Sequence, residues 1–185
     1  MKMKFSDAKK KAVAKFDSPE FIERIRSEDP TMVRQLPILK EINKLGFLTT
    51  ESQAGKNSKG KDYEIIERAY ICGFMLEKDA VKFIRDMGMI TDKNSVYVPL
   101  VGDEIHIPPS LDIPLTLQIK NGKTEVATHT SMALPRRWHE MMRKLIGLNK
   151  NEKVVYIFCW DTHWNRLASS KSGLFTDVLK VLNLL

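Results

Sequence analysis

Two short stretches hold most of the side chains that could do chemistry. In GFLTTESQAG, Gly46 to Gly55, five hydrogen-bonding residues (Thr49, Thr50, Glu51, Ser52 and Gln53) follow a brief apolar run, with no proline to mark a plain turn. On a regular strand Thr49, Glu51 and Gln53 share one face, and Thr50 and Ser52 the other. At least one face then needs partners, because a hydroxyl buried without one costs about 1–3 kcal/mol. The stretch reads either as a half-exposed strand end or as a ligand cradle. In CWDTH, Cys159, Asp161 and His163 alternate, and a strand would line them up as thiol, acid and base on one face. The apolar run VVYIF before them instead favours a packed thiol over a reactive thiolate.

Other catalytic patterns are missing. No GxSxG elbow surrounds Ser52, Ser131 or Ser169. AGKNSKGKD resembles a phosphate loop only in its glycines and lysines: Asp62 follows Gly60-Lys61 where a hydroxyl would have to reach magnesium. His106, His129, His139 and His163 show no metal-ligand spacing with either cysteine, so no metal is expected. Cys72 and Cys159 each sit in an apolar run and read as packed residues rather than a disulfide. Tyr156, Trp160 and Trp164 could stack on bases, but beside a strand they read as core or rim. No catalytic residue is assigned; a protein that binds is favoured over an enzyme, and an enzyme of unknown reaction on a nucleoside-like ligand stays open as a further alternative.

The chain that must position these residues has 185 of them, with 43% hydrophobic and 29% charged. That is ordinary for a globular domain, which at this length buries roughly 70% of its unfolded surface. No apolar run approaches the ~20 residues of a spanning helix. MKMKFSDAKKKAVAKF is basic but lacks the apolar core of a secretory signal. A cytoplasmic protein without a membrane partner is expected, in a host cell if it is viral. The net charge of +7 raises the question of a polyanion. The lysines are scattered, however, and no helix-turn-helix, zinc finger or RNP pattern accompanies them.

Local signals divide the chain into a basic helical segment, 1–28, and an α+β domain, 29–185. Residues 7–16 read as a short helix, and Ser18-Pro19-Glu20 opens a second. Met32, Val33, Leu36, Leu39 and Ile42 line a third, with Gly46 at its C-terminal cap. Strands are expected at 47–53, 63–75, 96–101 and 104–107, with GKNSKGKD a loop between the first two. EKDAVKFIRDMG reads as a helix stopped by Gly88. Asn121-Gly122 supplies the type I′ turn of a hairpin. A helix after Pro135 turns Trp138, Met141, Met142 and Leu145 inward. KVVYIFCWD is a strand buried on both faces, and LFTDVLKVLNLL is the last helix. The fold class is α+β: a single domain with a mixed β-sheet and helices packed around it.

LKEINKLGFLTTESQAG, then ERAYICGFM, then EKDAVKFI resembles the C-terminal regulatory domain of methylenetetrahydrofolate reductase. That domain has a helix ending N-x-x-G, then LTxxSQP, a loop and a QKAYxEFF-like strand. NSVYVPLVGDEI, RRWHEMMRKL, VVYIFCWDTHW and the last helix are similar to its later elements, so the likeness runs from about Asp29 to Leu185. A GFxTxxSQxG block also occurs in a small stand-alone family of bacterial proteins. The resemblance implies a module that binds S-adenosylmethionine without the flavin-holding catalytic barrel. Thr49 and Ser52 match the ligand-contacting threonine and serine, with Glu51 and Gln53 beside them. Hydroxyls suit that task because they can accept from an ammonium and donate to a carboxylate. The sequence departs from the family in three ways. Ala54 replaces its proline, its long loop shrinks to GKNSKGKDYEII, and Tyr97 replaces a ligand-contacting threonine and would fill part of the pocket. The expected function is a non-catalytic small-molecule-binding module, with S-adenosylmethionine or a related nucleoside as ligand. The alternative is a basic viral or mobile-element interaction protein that binds nucleic acid or another protein.

Overall fold

A computed structural model describes residues 3–90, 94–97, 112–131, 136–164, 166–168 and 173–185. Helix α1 covers Phe5–Lys15 and α2 covers Pro19–Glu28. The Ser18 hydroxyl caps α2 by accepting from the Phe21 N–H at 3.3 Å. A 3-10 helix over Pro30–Gln35 leads into α3, Leu36–Lys44. Gly46, at φ +103°, then turns the chain toward the sheet. Only the first part of the third sequence pattern differs from expectation, being wound as 3-10 rather than α.

Strand β1 runs from Leu48 to Lys59 and β2 from Tyr63 to Leu76. GKNSKGKD is therefore mostly strand, with only Gly60–Asp62 left for the turn. Its polar, glycine-spotted composition reads as a loop, but pairing of Lys56–Lys59 with Glu67–Glu64 extends the ladder. Helix α4 spans Glu77–Ile90 and passes through Gly88 instead of stopping there. β3, Asn94–Tyr97, catches the start of the expected 96–101 strand. The strand expected at 104–107 lies outside the described residues. β4 and β5, Asp112–Lys120 and Lys123–Ser131, form the expected hairpin, with Asn121 at φ 52° and Gly122 at φ 75°. α5 (Arg136–Leu145), β6 (Val154–Asp161) and α6 (Leu174–Leu182) complete the chain.

The long β2 is the spine of a six-stranded sheet. β1 covers one of its edges along its length, and the other edge takes β4 at Tyr63–Glu67 and β6 at Tyr70–Leu76. β5 lies outside β4, and β3 lies outside β6. These strand pairings are all antiparallel, so the expected mixed sheet is corrected to an antiparallel one. Each strand here returns beside a neighbour reached from the opposite direction, and no βαβ crossover is needed.

Each face of the sheet carries its own core. The first is filled by the 3-10 helix, α3, α4 and α6, whose Leu39, Ile42, Phe83, Phe175 and Val178 pack on Ile71, Ile157 and Cys159. The second is covered by Phe5 and Ala8 of α1 and Met142 of α5, which pack with Leu48, Cys72, Phe74, Tyr156 and Phe158. α1 thus reaches both cores, since Phe16 just beyond its end joins the first. A backbone bridge from Met3 to Gly147 and Asn149, 2.9 Å in each direction, ties the chain start to the end of α5. On α5 only part of the expected inward face is inward: Met142 is buried, whereas Met141 and Leu145 are exposed, Leu145 by 74%. The Trp138 side chain lies outside the described set.

Both cysteines are free and buried, and they project to opposite faces, so the sheet itself separates them. Burial pushes the Cys72 thiol up to about 12 from 9.0 and raises Cys159 as well. A thiol raised on folding contributes stability that is intact below its unfolded value and lost as pH rises toward the folded one. Unfolding free energy should therefore decline above about pH 9, by up to about 1.4 kcal/mol per pH unit for each thiol. Urea titrations across alkaline pH check this, and a profile equally steep in Cys72→Ala would contradict it. Reductant should leave the midpoint unchanged.

Candidate functional site

The polar stretch begins where α3 ends, and the link between them is Asn43. This side chain is fully buried. Its Nδ2 donates to the Leu39 carbonyl and to Thr49 Oγ1, both at 2.8 Å, and its Oδ1 accepts from the Thr49 N–H at 3.0 Å. Asn43 thus reproduces on β1 the pairing that a neighbouring strand would give.

β1 then bulges. Thr49 pairs with Gly73 and Glu51 with Cys72, leaving Thr50 as the extra residue. Leu48 and Ala54, six apart, would share a face on a regular strand. Here Leu48 joins the second core and Ala54 the first. The bulge changes the expected grouping: Thr49 and Ser52 fall on the first face, opposite Gly73 and Ile71, and Thr50, Glu51 and Gln53 fall on the second. Gly73 makes this geometry feasible. A Cβ there would lie 2.1 Å from the Leu48 carbonyl oxygen and 2.9 Å from Thr49 Cα.

Thr50 is satisfied inside the protein. Its hydroxyl pairs with the Tyr156 hydroxyl at 3.1 Å and donates to the Cys72 carbonyl at 3.3 Å. The Cys72 thiol in turn donates to the Glu51 carbonyl at 3.6 Å. Burial raises the Tyr156 hydroxyl far above its ordinary range, so the network is neutral. By contrast Glu51, Ser52 and Gln53 have no side-chain hydrogen bond among the described residues.

All five polar residues border one cavity of about 410 Å³. Its other wall comes from Lys15 at the end of α1 and Phe16 just beyond it, Phe21, Arg24 and Ile25 on α2, Glu28 and Asp29 at its end, and Met32, Leu36 and Leu39 beyond. Tyr70 reaches it from the second face, its hydroxyl pushed up to about 12 by burial and then by Cys72 and Glu51. Lys15 Nζ lies 4.8 Å and the Arg24 guanidinium 5.3 Å from the centre of the Phe21 ring. The two cations share this ring, and partial loss of water followed by repulsion from Arg24 lowers the Lys15 pKa. Arg24 has Glu28 at 3.9 Å, whereas Lys15 has no ion pair among the described residues. The cavity therefore offers the Lys15 and Arg24 cations, hydroxyl and amide groups, the carboxylates of Glu28, Asp29 and Glu51, and an apolar wall.

Sequence reasoning finds the β1 side of this cavity and misses the α1–α2 side. Nothing local marks Lys15, Phe16, Phe21 or Arg24, which meet β1 only through tertiary packing. Tyr97 lies elsewhere: its strand is separated from β1 by β6 and β2, and its Cα pairs with Phe158. Its side chain lies outside the described set.

The Cys159–Asp161–His163 row forms no nucleophile and base pair. Cys159 is buried in the first core, while His163 lies past the strand and its side chain is 58% exposed. The buried Asp161 accepts from the His163 N–H at 2.9 Å and from Arg166 at 2.7 Å, and Arg166 also clamps Asp177 of α6. Burial raises the Asp161 pKa despite these donors. The three aromatics are also engaged: Tyr156 packs edge-on against Phe74, Trp160 against Phe158, and Trp164 lies 3.9 Å under the Arg68 guanidinium. Among the described residues no group of three or more His, Cys, Asp or Glu could hold a metal ion, and no helix is long and apolar enough to cross a membrane.

No protein family matches the sequence, and no curated protein matches it.

Removing the Asn43 amide leaves the Thr49 N–H and hydroxyl without partners at the root of β1. Asn43→Leu should cost about 2–6 kcal/mol, two unmet groups at about 1–3 kcal/mol each, and Gly73→Ala about 1–3 kcal/mol through overpacking. Denaturant unfolding measures both. An Asn43→Leu protein as stable as the parent would mean that the bulge holds itself.

Proposed function

We propose that the cavity beneath the β1 bulge binds a small zwitterionic or cationic nucleoside, with S-adenosylmethionine the leading candidate, and that the protein is a non-catalytic relative of the methylenetetrahydrofolate reductase regulatory domain. The observation that carries this reading is the meeting of Thr49–Gln53 with Lys15, Arg24 and an apolar wall around about 410 Å³. That volume lies in the range of small-molecule sites, which are mostly apolar with a few placed polar groups. Lys15 and Arg24 suit the ligand's carboxylate, and Ser52 and Gln53 can take both ends of an amino-acid moiety. Glu51 faces the cationic centre, while Phe16, Met32, Leu36 and Leu39 take the flat base. The alternative, a basic surface for nucleic acid, rests on charge alone and predicts binding that collapses as salt rises.

The structure separates the two hydroxyls that the motif places together. Thr49 holds the fold through Asn43, and Ser52 has no partner among the described residues. Thr49→Val should therefore lower the melting temperature of the free protein, whereas Ser52→Ala should leave it unchanged and diminish the ligand-dependent rise. For the parent at about 100 times Kd that rise is about 2.7 kcal/mol, or roughly 5–10 °C. Thermal melts with S-adenosylmethionine, S-adenosylhomocysteine and adenosine test this. No shift with any of the three, or a shift undiminished in Ser52→Ala and Glu51→Gln, would remove the assignment.

A further inference from the structure

The 3-10 helix has a second cleft on its other side. Its Thr31, Arg34 and Gln35 face Ala54–Asn57 of β1, and Leu167 closes a cavity of about 490 Å³. Gln35 is only 6% exposed, it lines this cleft, and its side-chain amide has no hydrogen-bond partner among the described residues. Its amide atoms are not sealed from solvent, so the group can turn its donor or acceptor toward a polar guest in the cleft. Arg34 and Lys56 border the same space, and neither forms an ion pair among the described residues. No carboxylate appears among the lining residues. The neighbouring Asp29 is engaged by the Thr31 N–H at 3.0 Å and the Thr31 hydroxyl at 2.6 Å.

We propose that this cleft is a second binding site, for a small phosphomonoester. Arg34 and Lys56 take the phosphate, the Gln35 amide donates to one of its oxygens, and Pro30, Ala54 and Leu167 pack against the apolar body of the ligand. A phosphomonoester carries about −1.5 to −2 at neutral pH, which matches two unpaired cations. The phosphodiester of a nucleic acid carries one charge and lacks the third free oxygen, so it is the poorer fit. The site is independent of what fills the first cavity.

Phenyl phosphate is the probe, titrated into the full chain and followed by NMR of the side-chain amides. Saturable shifts are expected at Gln35 and Asn57, and phenol, the same ring without phosphate, should give none. Arg34→Gln and Lys56→Gln replace exposed side chains and should leave the fold intact. Each should weaken binding by at least about tenfold, as loss of a charge-assisted hydrogen bond does. Gln35→Glu sets a negative charge against the phosphate and should abolish binding; if that variant does not fold, the two exposed variants decide. Equal binding of phenol, binding undiminished in both exposed variants, or tighter binding of an oligonucleotide than of phenyl phosphate would each overturn the proposal.

Discussion

One buried amide fixes where the sheet begins. Asn43 closes the last turn of α3 through the Leu39 carbonyl and, with its remaining hydrogen-bonding atoms, seizes both the N–H and the hydroxyl of Thr49. The helix end and the first residues of β1 therefore cannot move independently, and Gly46 makes the tight turn between them with a positive φ that most residues avoid. Asn43 sets the height at which β1 meets β2, and Gly73 lets the two backbones approach at that point. The extra residue, Thr50, then has only one direction open to it, toward the Tyr156 hydroxyl in the second core.

The bulge decides the chemistry of everything downstream. In a strand, displacement by one residue exchanges the faces of all that follow. With Thr50 inserted, Ala54 reaches the first core while Glu51 and Gln53 turn away from it. A regular strand would drive Glu51 and Gln53 against Met32 and Leu39, where a carboxylate and an amide would need partners that those residues lack. The irregularity thus keeps the polar residues at the rim and leaves the Ser52 hydroxyl, on the inner side, without a partner among the described residues.

This is why the sequence is legible in some places and opaque in others. The Ser18 cap, the Gly46 turn and the Asn121-Gly122 hairpin depend on a few adjacent residues, and each is found where its local chemistry places it. The α+β class follows from the same kind of evidence. The Lys56–Lys59 part of β1 does not, because a strand imposed by a long partner has no local signature. Met141 and Leu145 carry a helical period yet face solvent, since periodicity shows which residues share a side but not whether that side is covered. The face assignment within Thr49–Gln53 fails for a related reason: the signal for the bulge lies in Gly73, on another strand. Lys15, Phe16 and Arg24 could not be linked to the site at all, because only the crossing of α1 past β1 brings them there.

Among the described residues β1 has a strand partner on one side only, and an edge strand must be protected from pairing with other chains. Three devices cover it here. α1 passes from one core to the other beside it, the Ala168 N–H takes the Ala54 carbonyl at 2.7 Å, and lysines occupy its far end. None of these fills the space beside the strand completely, and the six-residue 3-10 helix divides what is left. With about three residues per turn, Met32 and Gln35 fall on one side of that helix and Thr31 and Arg34 on another. Met32 faces the first cavity and Thr31 and Arg34 border the second, while Gln35, one turn beyond Met32 on the same row, also reaches the second. An α-helix of the same length would be shorter and wider, and would stagger these rows rather than stack them. The 3-10 helix as a whole stands between the two cavities, and Asp29 fixes its start by capping the first turn.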